Sequence, residues 1–279
     1  MIPLSLVEMN ITELCNRTCY FCPRAHDYPN KNLHMTSAIA EQVLIQTAPY
    51  TDYVTIAGRG EPLLCTNLYE ILEMVVKYNP RFRLITNGDH LSKHIDDIHR
   101  ILNLHHTSYN NTPKLTINCY DGEDQMRERK KLYDYKSIQF TAKRRTDDMD
   151  NIMWRINKKQ VTNRGGSMGW TNVDALDKPC YVLFHKTFID YNGDVNLCCH
   201  DWKIKASYGN IMKTPFKEIW ETGKLHQHRI GLMTHNSRKN YDACAECDSL
   251  QDESKCIAAK NVWECGTNKP VVFGGSFEA

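Results

Sequence analysis

Between residues 4 and 143 the sequence switches repeatedly between two hydrophobic periods. "LSLVEMNI" reads as a strand and runs straight into a cysteine-rich loop. "SAIAEQVLIQTA" spaces Ala, Val, Leu and Ile as a helix does, "YVTIAG" is a strand ending at Gly58, and "LYEILEMVVKYN" is an amphipathic helix. "FRLITNG" is a strand closed by a turn, "HIDDIHRILNL" a helix, "KLTINC" a strand and "SIQFTAK" another, while "NLHHT" reads as a loop. Repeated strand–helix pairs imply a parallel sheet with crossover helices, because parallel neighbours need long connections. In parallel barrels the functional groups sit at the C-terminal strand ends. Here those ends carry the residues from Asn10 onward, "GRGEP", "TNGD" and "NCYDG", all polar or glycine-rich and expected to converge on one site.

The remaining bounds are mild. A chain of 279 residues suffices for one large α/β domain, or a domain with a small appendage. The net charge of +2 gives no electrostatic reason to expect nucleic acid, and "RERKK" and "AKRR" read as solvated faces. "MIPLSLVEMNIT" has neither a basic n-region nor a cleavage site, and no apolar stretch reaches membrane-spanning length. A cytoplasmic protein without membrane or nucleic-acid partners is expected.

Twelve cysteines without a secretion signal argue for metal rather than a disulfide framework. Cys15, Cys19 and Cys22 lie together in "CNRTCYFC". A four-iron cubane is usually held by four thiolates, so three leave one iron open to a substrate or cofactor. Structural zinc is the alternative, with His26 or His34 as a further ligand.

The spacing C-x3-C-x2-C, with Tyr20 and Phe21 before its last cysteine, resembles the radical S-adenosylmethionine (SAM) family. That resemblance implies a SAM-binding [4Fe–4S] cluster on Cys15, Cys19 and Cys22, with the open iron chelating the methionine end of SAM. Reductive cleavage then gives a 5′-deoxyadenosyl radical that abstracts hydrogen from substrate. "GRGEP", holding Gly58, Arg59, Gly60 and Glu61, resembles the family's GGEP turn, whose backbone and glutamate meet the methionine ammonium. Read alone, it is a β-to-α turn with Glu61 at a helix start. Phe21, Thr86 and Asn87 join the implied SAM contacts, as does Asn118 or Cys119 at the end of the fourth strand, where parity admits only one. Arg127 is the candidate for the SAM carboxylate, with Arg129 as alternative and an exposed helical charge as the plainer reading of either.

The C-terminal third carries "CYVLFHKTFIDYNGDVNLC", then "YGNI", "FKEIW" and "CAEC", and looks like the SPASM or twitch extension of that family. "DYNGDV" reads as a hairpin that draws Cys180 towards Cys198. The resemblance implies an auxiliary [4Fe–4S] cluster on Cys180, Cys198, Cys244 and Cys247; a zinc ribbon is the alternative. The two-cluster pattern continues C-x5-C-x3-C, whereas here Cys256 and Cys265 each follow after eight residues, which favours the one-cluster twitch form. Cys199 should point away from the ligand set and Cys65 should be a buried small hydrophobe, while His200 and Asp201 are candidates for substrate contact. "NRGG" is similar to twitch-type dehydrogenases, in which its arginine, here Arg164, lies near the substrate hydroxyl.

The expected fold is therefore α/β: a partial (β/α)6 TIM-like barrel over residues 1–170, then a twitch/SPASM-like auxiliary-cluster domain over 171–279. The expected activity is radical SAM dehydrogenation of a small hydroxylated or amino-sugar-like molecule, in a monomer fed by a one-electron reductase such as flavodoxin or ferredoxin. The chain starts at the first barrel strand with no leader-binding domain, which favours a small molecule over a peptide. Rival readings are a radical SAM epimerase or peptide-modifying enzyme and, in another class, a non-catalytic zinc or iron–sulfur protein.

Overall fold

The computed structural model describes residues 4–78, 81–109, 114–131, 139–144, 162–170, 176–233 and 235–249, with backbone only for 103–109 and 139–144. Cys256 and Cys265 lie outside these residues. In chain order the elements are β1 (Leu6–Asn10), α1 (Ser37–Thr47), β2 (Tyr53–Ala57), α2 (Leu68–Tyr78), β3 (Arg81–Thr86), α3 (Leu91–Tyr109), β4 (Lys114–Cys119), α4 (Gly122–Lys131) and β5 (Gln139–Arg144). Then follow β6 (Lys186–Ile189), β7 (Asp194–Asn196), β8 (Ser207–Asn210), α5 (Phe216–Glu221) and α6 (Gly223–Gly231).

All strands share one sheet, in the order β5-β4-β3-β2-β1-β6-β7-β8. From β5 to β6 the neighbours are parallel; β7 and β8 are antiparallel additions. Among the described residues, five parallel strands precede residue 145, and the sixth, β6, comes from the C-terminal part to pair with β1. The cysteine-rich extension thus continues the barrel sheet rather than standing apart. The helices form where the periodicity places them. The Thr36 hydroxyl caps α1 by accepting the Ile39 amide at 3.3 Å. α2 buries Leu68, Ile71, Leu72 and Val75, one stripe at i, i+3, i+4 and i+7. α3 continues through "NLHHT" to Tyr109, so that stretch is helix rather than the expected loop; no glycine or proline interrupts it before Pro113.

Strand parity divides the sheet's two faces. Val7, Met9, Val54, Ile56, Phe82, Leu84, Leu115 and Ile117 join the helices in the main hydrophobic core. The alternate positions are mostly polar: the register sets Glu8 beside Thr55 and Thr55 beside Arg83, while Asn10 stands beside Ala57. A parallel strand covered on both faces usually reads as continuous apolar residues, so charges on the inner face mark a cavity instead of a packed interior.

The "DYNGDV" hairpin forms, but as a three-residue loop: the Gly193 amide donates to the Asp190 carbonyl at 2.8 Å, and the Asp190 amide to that of Asp194 at 2.9 Å. Gly193 takes the positive φ (87°) that this bulged turn requires. The extension also docks on α1, where Gln46 donates to the Ile211 carbonyl and accepts the Phe216 amide, and Phe216 meets the Tyr50 ring edge-on at 5.3 Å. Among the described residues no helix is long and apolar enough to cross a membrane.

Candidate active site

The C-terminal ends of the parallel strands surround a cavity of about 290 Å³. Cys15, Cys19 and Cys22 lie on its wall with Phe21, Gly58, Arg59, Gly60, Glu61, Thr86, Asn87, Asn118 and Arg164. Residues some 150 positions apart in sequence therefore meet, because parallel strands deliver their following loops to one edge.

The cysteine loop follows β1 directly and is braced by its own polar groups. The Asn30 side-chain oxygen accepts the Cys15 amide at 2.9 Å, and the Cys22 amide donates to the Cys19 carbonyl at 2.8 Å. Phe21 packs with Cys19 against Tyr20, Cys22, Tyr120 and Trp170. Arg17 forks between Asp89 (2.5 Å) and Asp121 (2.6 Å), tying the loop to the ends of β3 and β4.

Two glycines of "GRGEP" are demanded by close approach. A Cβ on Gly58 would lie 2.3 Å from the Asn10 side-chain oxygen, and one on Gly60 would lie 2.2 Å from the Thr12 carbonyl. The turn is thereby pressed onto the loop that bears the thiols. Glu61 is buried, and its carboxylate accepts the Leu63 amide (3.0 Å), the Thr86 hydroxyl (2.5 Å) and the Asn87 amide (2.7 Å). "TNG" thus acts on "GEP" by clamping its glutamate. Burial pushes the Glu61 carboxyl up to about 7, against those three donors. A carboxylate so placed, with no cation of its own among these bonds, suits a cationic ligand group.

Several expected roles change. Arg59 lines the wall, but its guanidinium is committed to Asp190 at 2.6 Å and to the Asp201 carbonyl at 3.0 Å, and lies over the Phe188 ring. Glu13, Asn10, Arg24 and Tyr28 complete this buried network between the GRGEP turn, the cysteine loop and the hairpin. Arg127 is exposed and pairs with Asp124 on its own helix. The buried arginine of α4 is Arg129, which donates to the Asn87 carbonyl and pairs with Asp89 at 2.5 Å. Two residues along a helix turn a side chain through roughly 200°, so only one of the two can face the sheet. On β4, Asn118 faces the cavity while Cys119 is buried in the main core. The same parity adds wall residues that motif reading missed, namely Glu8, Arg83, Thr116 and Lys186, with Tyr120, Trp202 and Cys199 from loops. For Glu8 and Arg83 the available signal was a charge at mid-strand in "LVEMN" and "FRLIT".

Cys180, Cys198, Cys244 and Cys247 surround a separate void of about 20 Å³ with Leu183, Leu197 and Leu232. Burial pushes the Cys198 thiol well up, and the neighbouring Cys199, Cys247, Cys180 and Cys244 add to the effect. Arg238 is buried against them, donating to the carbonyls of Lys178, Pro179, Cys247 and Ser249. Cys198 faces this void, whereas Cys199 faces the main cavity, where Lys186 Nζ lies 3.6 Å from its Sγ. His200 lines the four-thiol void, and the Asp201 carboxylate caps a turn by accepting the Lys205 and Ala206 amides. Cys65 donates to the Ile11 carbonyl within the core. "NRGG" bridges both places: Asn163 bonds Asp248 and the Glu246 carbonyl beside the four-thiol void, and Arg164, at φ 51°, lines the main cavity. Among the described residues no three or more His, Cys, Asp or Glu side chains gather tightly enough for one metal ion. Thiols set around a void fit a polynuclear cluster.

Residues 9–157 match the family model "Radical SAM superfamily", and residues 180–248 match SPASM, an iron–sulfur cluster-binding domain. The chain belongs to the radical SAM superfamily. It is a radical SAM enzyme with a SPASM domain, and its cofactors are SAM and [4Fe–4S] clusters. It is 24% identical to the S-adenosyl-L-methionine-dependent 2-deoxy-scyllo-inosamine dehydrogenase of Niallia circulans, over 90% of this chain and 95% of that protein. It is 32% identical to the GTP 3',8-cyclase of Aquifex aeolicus (strain VF5), over 33% of this chain and 31% of that one. The crystal structure of BtrN in complex with AdoMet and 2-DOIA superposes with a TM-score of 0.70 at 22% identity, covering 88% of this chain and 94% of that one. That likeness concerns the fold, and the α/β class with a C-terminal iron–sulfur domain is as expected.

Proposed function

We propose that this radical SAM enzyme is a dehydrogenase of a small hydroxylated or amino-bearing molecule. The observation that carries the reading is one cavity bounded by three thiols at one place and by Arg164 and Cys199 at another, with the four-thiol void behind Cys199. When bound, the cofactors supply a hydrogen-abstracting radical and a one-electron acceptor. Cys15, Cys19 and Cys22 would hold the SAM-binding cluster. Glu61 meets the ammonium, while Gly58, Gly60, Thr86, Asn87, Asn118 and Phe21 shape the pocket. Cys180, Cys198, Cys244 and Cys247 hold a single auxiliary cluster. A hydroxyl-bearing carbon that loses a hydrogen atom, a proton and an electron becomes a carbonyl. Arg164 holds that hydroxyl; a guanidinium is too weak a base to take its proton.

The curated relative named above is a dehydrogenase over nearly its whole length, which supports this choice over epimerisation. Cys119, the thiol that an epimerase reading would use, packs in the core instead. We place the first five barrel strands in residues 1–170 and the auxiliary domain, which lends the sixth strand, in 171–279, and we read the protein as a cytoplasmic monomer served by flavodoxin or ferredoxin. Turnover of candidate substrates with SAM and reductant should yield a product two mass units lighter, with one SAM consumed. A product of unchanged mass that carries one solvent deuterium would establish epimerisation instead.

A further inference from the structure

Two histidines stand at the four-thiol void, and they are bonded differently. His200 lines the void, but its ring nitrogens face the Thr162 and Ser249 hydroxyls, at 3.4 and 3.5 Å. His228, on α6, stands behind Cys244, with its Nε2 3.6 Å from the Cys244 sulfur. The Nδ1 of the same ring lies 2.5 Å from the Tyr208 hydroxyl on β8. The Tyr241 ring stacks on the imidazole, with centroids 3.9 Å apart and planes 14° apart. That ring is fixed in turn, because any Cβ on Gly231 would run into the Tyr241 hydroxyl. His228 is only 7% exposed, and both tyrosines pack against Leu183, Leu197, Leu232, Ala243 and Cys244.

The direction of these bonds follows from Cys244. As a cluster ligand its sulfur is a thiolate, with lone pairs and no proton. The imidazole nitrogen facing it must then carry the hydrogen, since two sets of lone pairs would repel. With the hydrogen on Nε2, a neutral ring leaves Nδ1 as an acceptor, and the Tyr208 O–H donates to it. Each bond polarises the next, so the phenol strengthens the imidazole donor. Arg238, the charged group at the void, spends its donors on backbone carbonyls instead. An N–H donated to a ligating sulfur draws negative charge off the cluster and favours the state with the extra electron.

We propose that His228, with Tyr208 behind it, is a positioning residue of the auxiliary cluster: its Nε2–H donates to the Cys244 sulfur and raises the potential at which that cluster accepts one electron. No proton moves in this arrangement; the hydrogen stays on Nε2 in both oxidation states. The inference rests on the ligand set Cys180, Cys198, Cys244 and Cys247, and on nothing about the substrate.

The test is a redox titration followed by electron paramagnetic resonance. It uses the full chain carrying Cys15→Ala, Cys19→Ala and Cys22→Ala, so that the auxiliary cluster alone gives the signal. In that background His228→Phe should lower the midpoint until the reduced-to-oxidised ratio at a fixed potential falls about tenfold, about 59 mV for one electron. His228→Gln, whose amide still donates, should recover part of the loss. Tyr208→Phe should shift the midpoint the same way by a smaller step, and it carries the test if His228→Phe takes up no iron. Electron–nuclear double resonance of the reduced cluster should show a coupled proton, exchangeable in D2O, that His228→Phe lacks. Unchanged midpoints in His228→Phe and Tyr208→Phe would overturn the proposal. So would a His228→Gln midpoint as low as that of His228→Phe, or a nitrogen coupling that shows His228 bound to iron. Iron analysis separates the two levels of failure. An unmoved midpoint with about four irons retained sinks this inference alone, whereas iron and spectrum unaltered by Cys244→Ala would sink the ligand set and the inference with it.

Discussion

Cys15, Cys19 and Cys22 lie on a loop between polar turns, facing a cavity of about 290 Å³, whereas Cys180, Cys198, Cys244 and Cys247 enclose about 20 Å³ among Leu183, Leu197 and Leu232. The first set has room beside it and a buried carboxylate, Glu61, within the same cavity. The second has no such room and is wrapped by Arg238, whose donors go to four backbone carbonyls. Three ligands with space suit a cluster that also binds a small molecule; four ligands in an apolar shell suit one that passes electrons. The contrast shows that ligand number alone does not assign a role, and that what surrounds the thiols matters as much.

The largest effect should come from emptying either site. Replacing Cys15, Cys19 and Cys22 together with Ala should abolish SAM cleavage and leave roughly four of about eight irons. Cys244→Ala with Cys247→Ala should remove the other four, yet leave 5′-deoxyadenosine formation measurable while substrate oxidation falls by about a hundredfold or more. Equal loss of SAM cleavage in both variants would erase the distinction between the sites. Iron analysis and 5′-deoxyadenosine quantitation check both.

A smaller effect sharpens the polar character of the first site. Burial holds the Glu61 carboxyl up to about 7, so without ligand it is mostly protonated below that pH. The SAM ammonium prefers the ionised form. Affinity for SAM should therefore be complete above about pH 7.5 and weaken as pH falls through 7, approaching about tenfold per pH unit. Calorimetric titration from pH 6.2 to 8 checks this, and Glu61→Gln should flatten the profile and weaken binding overall.

The smallest contrast is within α4. Arg129→Ala removes a buried guanidinium from Asn87 and Asp89 and should weaken SAM binding by about tenfold, in line with loss of a charged hydrogen bond. Arg127→Ala removes an exposed pair and should shift stability by no more than about 0.5 kcal/mol. Thermal unfolding and SAM titration of both variants measure the difference.

Much of this architecture is legible in local sequence. The strands β1 to β5 and the helices between them follow from hydrophobic period, and the two thiol sets from spacing. "NLHHT" misleads because polarity resembles a loop where nothing breaks the helix. Arg59 misleads for a different reason. Its neighbours suggest a cofactor contact, but its partner, Asp190, lies 131 residues away.

By itself, then, the sequence determined which chemistry is possible: thiols at cluster spacing, glycines where backbones approach, and a charged residue at mid-strand in "LVEMN" and "FRLIT". These are short-range properties, set by covalent spacing and by periods of two and 3.6 residues. Tertiary structure alone decided which charges meet. Sheet register sets Glu8, Thr55 and Arg83 in one row, helix rotation chooses Arg129 over Arg127, and the return of β6 to β1 brings Lys186 to Glu8. Charge interaction depends on distance through space, and in a parallel sheet that distance is set by pairings that no local window contains.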